Sequence, residues 1–246
     1  GESPNLSIKD REIIYSTAID SVSDKAKIIA GTGTYSTSES IEITKMADSL
    51  GVDGIMIVTP YYSKPSQHGI LRHFEEISKI TDLPIMAYNI PGRTSTLIEL
   101  ETLQTLVDDI GIHSIKDAVG DFEFSKKQLE LLKDKVDIYS GNDNQTYDFV
   151  TNGGIGVVSV ASHVVGNEIS EMISCAKNNE FDKAQEINNQ LTNLFEAIFE
   201  EPSPGPIKKI LSESWEEVGE PLLPITQISP ELANKIRGFY KKIKEN

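Results

Sequence analysis

The sequence predicts an α/β protein built on a parallel sheet, and three observations carry that reading. Short apolar runs recur along the chain with their apolar residues on consecutive positions, the mark of strands buried on both faces. Longer stretches with apolar residues at helical spacing fill the gaps between them. Strand starts recur roughly every 20 to 30 residues, the length of one βα unit. Repeated βα units either close into a barrel or spread into an open doubly wound sheet, and spacing alone leaves both open.

The chain opens on a helical pattern over Ser7–Val22, and the first strand follows at Lys27–Gly31. Ser36–Leu50 starts at Ser/Thr capping candidates and stops before Gly51, as a helix does. Gly54–Val58 is the second strand. Ile70–Ile80 carries Ile70, Leu71, Phe74, Ile77 and Ile80 on one helical stripe. Pro84–Tyr88, His113–Lys116, Val136–Ser140 and Ile155–Val160 are the remaining strands, with helices expected at Leu97–Val107, Phe124–Leu132 and Asn144–Thr151. Beyond them Glu168–Lys177, Phe181–Phe199, Ile207–Ser214 and Pro230–Lys244 read as helices, with a proline-rich break at Glu201–Pro206. A βα protein that opens on a helix, and on Gly1 instead of methionine, leads us to expect that an N-terminal portion is missing.

A chain of 246 residues suits one large domain with a sizeable core. Its 38% hydrophobic and 25% charged residues are ordinary for a globular protein. A net charge of −15 repels phosphate backbones and anionic lipid, so neither nucleic acid nor membrane is expected as a partner. Small anionic substrates stay open, because a few local cations decide a pocket. No apolar run approaches the roughly 20 residues of a membrane span. Cys175 is the sole cysteine and has no internal partner; it reads as a small core residue suited to a reducing cytosol.

The chemistry concentrates at strand ends. Lys116 closes the run His113-Ser114-Ile115-Lys116. A lysine there either reaches out to water or is desolvated, and desolvation leaves some amine neutral and nucleophilic near neutral pH. Tyr88 ends the preceding strand, Tyr61 and Tyr62 follow the one before it, and Arg93 lies a short turn beyond Tyr88. A tyrosine hydroxyl relays protons and an arginine fork holds a carboxylate, so the set suits a carbonyl substrate that bears a carboxylate. Asp117 points to the opposite face of its strand from Lys116 and reads as structural. Gly153-Gly154-Ile155-Gly156 enters a strand, unlike a phosphate-binding loop. His68, His73, His113 and His163 lack HExxH spacing and cysteine partners, so no metal site is expected.

With these residues placed, the chain resembles the dihydrodipicolinate synthase family of pyruvate-dependent class I aldolases, which also contain N-acetylneuraminate lyase. The landmarks are Gly1-Glu2-Ser3, Ala30-Gly31-Thr32-Gly33, Val58-Thr59-Pro60-Tyr61-Tyr62, Tyr88-Asn89-Ile90-Pro91-Gly92-Arg93-Thr94, Ile115-Lys116, Ser140-Gly141-Asn142-Asp143 and Gly156–Val160. The resemblance implies a (β/α)8 TIM barrel whose first two strands precede this chain. Residues 1–165 would then form a partial barrel of six strands, and 166–246 the last barrel helix and a C-terminal helical extension. It implies a lyase that condenses pyruvate with aspartate 4-semialdehyde in lysine and diaminopimelate biosynthesis. Lys116 is then the Schiff-base lysine, Tyr88 the proton shuttle, and Tyr62 a tyrosine that reaches across a tight dimer interface. Arg93 holds the semialdehyde carboxylate, while Gly141 and Val158 line the pyruvate pocket. No cofactor is implied beyond the covalent imine, and a cytoplasmic homotetramer, a dimer of dimers, is the usual assembly. An aldolase for 2-keto-3-deoxy sugar acids or sialic acid is the alternative within the superfamily, although those enzymes usually lack an arginine at the position of Arg93. A non-catalytic barrel fragment is the alternative outside it.

Two departures from the family pattern matter. The family has two threonines immediately before Gly1-Glu2-Ser3 that serve the pyruvate carboxylate and the proton relay, so a chain starting after them is expected to turn over poorly. Ser3, Glu39 and Tyr61 match the family's lysine-inhibition site at the dimer interface. There Tyr35 replaces an asparagine and Arg11 a histidine, so weak or absent lysine feedback is expected.

Overall fold

A computed structural model describes residues 1–22 and 25–245. Six strands form a sheet in the order β1-β2-β3-β4-β5-β6: Ile29–Gly31, Gly54–Val58, Ile85–Asn89, Ser114–Asp117, Asp137–Ser140 and Gly156–Val157. Helices α1 Ile8–Val22, α2 Thr37–Leu50, α3 Gln67–Ser78, the single turn α4 Pro91–Thr94, α5 Leu100–Thr105 and α6 Phe122–Leu131 alternate with the first five strands. Helices α7 Thr146–Thr151, α8 Ser162–Lys177, α9 Phe181–Ala197, α10 Gly205–Ser214 and α11 Pro230–Glu245 follow. No helix among the described residues is long and apolar enough to cross a membrane. The chain divides into two compact units, one of Leu6–Tyr139 and the other of Gly1–Asn5 with Ser140–Asn246.

In the unit Leu6–Tyr139, β1 to β4 are parallel, and their register sorts the side chains by face. Ile57 pairs with Ala87 and Ala87 with Ile115, and all three are fully buried. They belong with Ile43, Ile70, Phe74, Ile77, Leu103 and Leu106 to the buried apolar residues of this unit. The adjacent row runs Val58, Tyr88, Lys116 and is only half-buried. Burial on both faces was expected from the consecutive apolar runs; here one face is sealed and the other keeps partial access. Helix boundaries follow local chemistry. Ser36 accepts the Glu39 N–H at the start of α2, and Gly51 ends that helix at φ 86°. Asp121 caps α6 through the Glu123 and Phe124 N–H groups. The turn α4 was not expected; Pro91 at its first position and Ser95 at φ 58° bound it.

In the other unit, α8 to α11 pack around Leu191, Leu194, Phe195, Ile198, Ile207, Ile210, Leu232 and Ile236. Cys175 is buried beside Val150, Met172, Ala176 and Ala184, the small core residue it was read to be. Helix α8 starts at Ser162, ahead of the expected Glu168, and is kinked at Val165. Strand β6 is shorter than the expected Ile155–Val160. The buried carboxylate of Asp143 takes the Val160 and Ala161 N–H groups, each at 3.1 Å, and the Ser159 hydroxyl, so the chain leaves the ladder there. The first residues join this unit: Lys208 Nζ donates to Glu2 Oε2 at 3.2 Å, and the Leu222 N–H donates to Glu2 Oε1 at 2.5 Å.

Candidate active site

Strands β3 and β4 put the central pair in place. Tyr88 and Lys116 are register partners, so their side chains leave the sheet on the same face. Lys116 Nζ stands 3.9 Å from the Tyr88 ring centroid, within cation–π range. Thr59 fixes this end of β3 from the neighbouring strand end, its N–H and its hydroxyl both donating to the Tyr88 carbonyl at 3.0 Å. Burial pushes the Tyr88 hydroxyl up to about 12, and the nearby positive charge of Arg93 works against that rise. The phenol is therefore protonated at neutral pH. Arg93 sits exposed on α4, where its charge reaches Tyr88.

On the opposite face, Asp117 is buried and accepts the Val119 N–H and the Ser125 hydroxyl, both at 2.9 Å. Burial pushes its carboxyl up to about 6, partly offset by those two bonds. It is a fastening between strand and helix, in line with its reading as a structural residue.

The other expected site residues lie on other segments of the chain. Tyr62, at φ 69° in the loop after β2, is 92% exposed. Gly141 and Val158 belong to the other unit, where the Val158 N–H donates to the Ser140 carbonyl at 2.8 Å. Ser3 is exposed in the same unit, while Glu39 and Tyr61 belong to the first. Around Tyr61, the Tyr35 ring packs edge-on at 5.6 Å. Burial raises the Tyr61 hydroxyl above its ordinary value; the Glu39 charge adds to the rise and Arg11 opposes it. Arg11 is itself buried and donates to the Gly31 carbonyl at 3.0 Å, beside a 2.7 Å bond from the Tyr15 hydroxyl.

Among the described residues no group of three or more His, Cys, Asp and Glu side chains converges. His73 Nδ1 pairs with the Thr37 hydroxyl at 2.9 Å, and His113 Nδ1 accepts the Ile85 N–H at 3.3 Å. Sequence reading missed Thr59 and Asn89 as supports, although both lie in strand ends it had singled out. It missed Gln67, and the support given by Asp143 within a strand end it had singled out, because side-chain bonds to distant backbone leave no periodic trace.

The profile of the Dihydrodipicolinate synthetase family matches residues 1–243. The chain belongs to this family. It is 40% identical over 237 residues to the 4-hydroxy-tetrahydrodipicolinate synthase of Desulforudis audaxviator, covering 96% of this chain and 81% of that protein. Dihydrodipicolinate synthase from Bacillus anthracis superposes with a TM-score of 0.94 at 38% identity, over 98% of this chain and 82% of its own. The chloride-inhibited synthase of Acinetobacter baumannii, solved with pyruvate, gives 0.95 at 33% identity, over 99% and 84%. The matches run along nearly the whole of this chain and about four-fifths of the length of these relatives.

Proposed function

We propose that the chain is a lyase that condenses pyruvate with aspartate 4-semialdehyde to 4-hydroxy-tetrahydrodipicolinate, on the route to diaminopimelate and lysine. The observation that carries this reading is the Tyr88–Lys116 pair: an amine and a protonated phenol on one sheet face, with a guanidinium close enough to act on the phenol. Relatives that share the fold and about two-fifths of the sequence bear the name of this synthase, which supports it. The six strands are then part of a (β/α)8 barrel.

In this scheme the neutral amine of Lys116 attacks C2 of pyruvate and expels water, leaving an imine. The imine nitrogen, positively charged, draws electrons from the methyl group, which loses a proton and becomes an enamine carbon. That carbon attacks the aldehyde of the semialdehyde, whose oxygen takes up a proton. The substrate's own amine then closes on C2, breaks the bond to Lys116 and releases the ring with its hydroxyl. The electron sink is the imine itself, so no metal or organic cofactor enters. Tyr88 carries protons to and from the oxygen lost from pyruvate and the aldehyde oxygen. Arg93 binds the semialdehyde carboxylate with two hydrogen bonds. Tyr62 completes the proton relay of a neighbouring subunit, consistent with its bare position here, and Gly141 and Val158 line the pyruvate pocket. The assembly is a cytoplasmic homo-oligomer, a dimer or a tetramer. Ser3, Glu39 and Tyr61 mark the interface where lysine acts in sensitive relatives.

The deciding experiment is borohydride trapping. The chain is incubated with pyruvate, reduced and digested, and the added mass is mapped. One pyruvate on Lys116, lost in Lys116→Ala, is expected; an unmodified Lys116 defeats the reading.

A further inference from the structure

The loop from β3 to α5 carries Arg93, and two amide side chains grip its far end. Asn89, fully buried, donates through Nδ2 to the Ile98 carbonyl and accepts the Ile98 N–H at Oδ1, both at 3.0 Å. Gln67, the half-buried first residue of α3, donates through Nε2 to the Leu97 carbonyl at 2.8 Å and accepts the Glu99 N–H at 3.1 Å. Each amide therefore matches one backbone donor and one backbone acceptor, as a neighbouring strand would. Between them they fasten three consecutive residues immediately ahead of α5. Within the loop the Thr94 hydroxyl bonds the Ile90 and Thr96 carbonyls, both at 3.0 Å. Every one of these contacts fixes backbone, and the segment they bracket carries Arg93.

We infer that Gln67 and Asn89 are positioning residues that set Arg93 over the pocket and so govern affinity for the second, carboxylate-bearing substrate. The inference rests on the proposed function and deepens it. Because Gln67 follows directly on the loop that carries Tyr62, its amide also ties that loop to the one that carries Arg93. The bonds described for the two amides all end on residues 97–99, so the grip is expected to act on the second substrate more than on formation of the pyruvate imine.

Steady-state kinetics on Gln67→Ala tests this. Its KM for aspartate semialdehyde is expected to rise about tenfold, the size of one or two lost hydrogen bonds. Its KM for pyruvate and its trapped pyruvate on Lys116 are expected to stay within about twofold of wild type. Gln67→Glu keeps the acceptor for the Glu99 N–H and loses the donor to Leu97, so about a threefold rise is expected, and this variant carries the test if Gln67→Ala fails to fold. In an Arg93→Ala background, the Gln67 substitution is expected to add nothing further. A folded variant with unchanged KM, or an undiminished effect without Arg93, overturns the inference and leaves the proposed reaction standing. A wild-type chain that traps no pyruvate overturns the reaction itself, and the role of the grip with it.

Discussion

Tyr88 is asked to do its work by proton transfer, and its ring already stands over the lysine amine. Tyr88→Phe keeps the ring and removes only the hydroxyl. We expect kcat to fall about 100-fold or more with little change in KM for pyruvate; a loss of less than threefold would leave the phenol without a catalytic role. Two buried groups titrate in opposite senses. Asp117 keeps its proton to about pH 6 when folded against 3.8 unfolded, so its contribution is full below the lower value and is lost as pH rises through the upper one. His73 stays neutral down to about pH 4 when folded against 6.5 unfolded, because burial disfavours its charged form. Its contribution is full above the higher value and is lost as pH falls towards the lower one. Asp117→Asn removes only the first. Its denaturant midpoint should therefore drop more steeply than wild type between about pH 6.5 and 4.5, and equal drops would contradict the assignment. The strand-end positions of Tyr88 and Lys116 were legible in the sequence because a short apolar run announces where a strand ends. Gln67 was not, since its partners lie 30 and 32 residues away and nothing in its neighbourhood marks them.

Strands and helices were mostly legible to within a few residues, since apolar runs and capping residues are local signals. The failures share a cause. Strand β6 stops early and α8 starts early because the Asp143 carboxylate takes the Val160 N–H, which the apolar pattern assigns to a ladder, and the Ala161 N–H beside it. The turn α4 was hidden in a segment too short for any period to show. Gly33 tests how tightly β1 and β2 meet. A Cβ built there would lie 2.4 Å from the Val58 nitrogen, a backbone atom that cannot swing aside. Gly33→Ala should cost about 1–3 kcal/mol and lower the melting temperature by several degrees. An unchanged melting curve would show that the two strands have slack between them.

At the scale of the whole protein, regulation is the open question that the residues address. Tyr35 against Tyr61, and the buried Arg11 whose charge reaches the Tyr61 hydroxyl, both disfavour a cationic amino acid beside Glu39. Turnover should persist at sub-millimolar lysine, and half-inhibition in that range would contradict the expectation. Replacing Arg11 by His and Tyr35 by Asn together should then raise sensitivity to lysine. The ties of Glu2 bear on how the molecule comes into being. Its partners lie 206 and 220 residues downstream, so these bonds are among the most non-local in the chain. At about 5–20 residues per second, a ribosome needs roughly 10 to 40 seconds to deliver Lys208 after Glu2 has emerged. Through that interval Glu2 lacks both of the partners it holds in the folded chain, and the backbone around it stays open to a chaperone or protease.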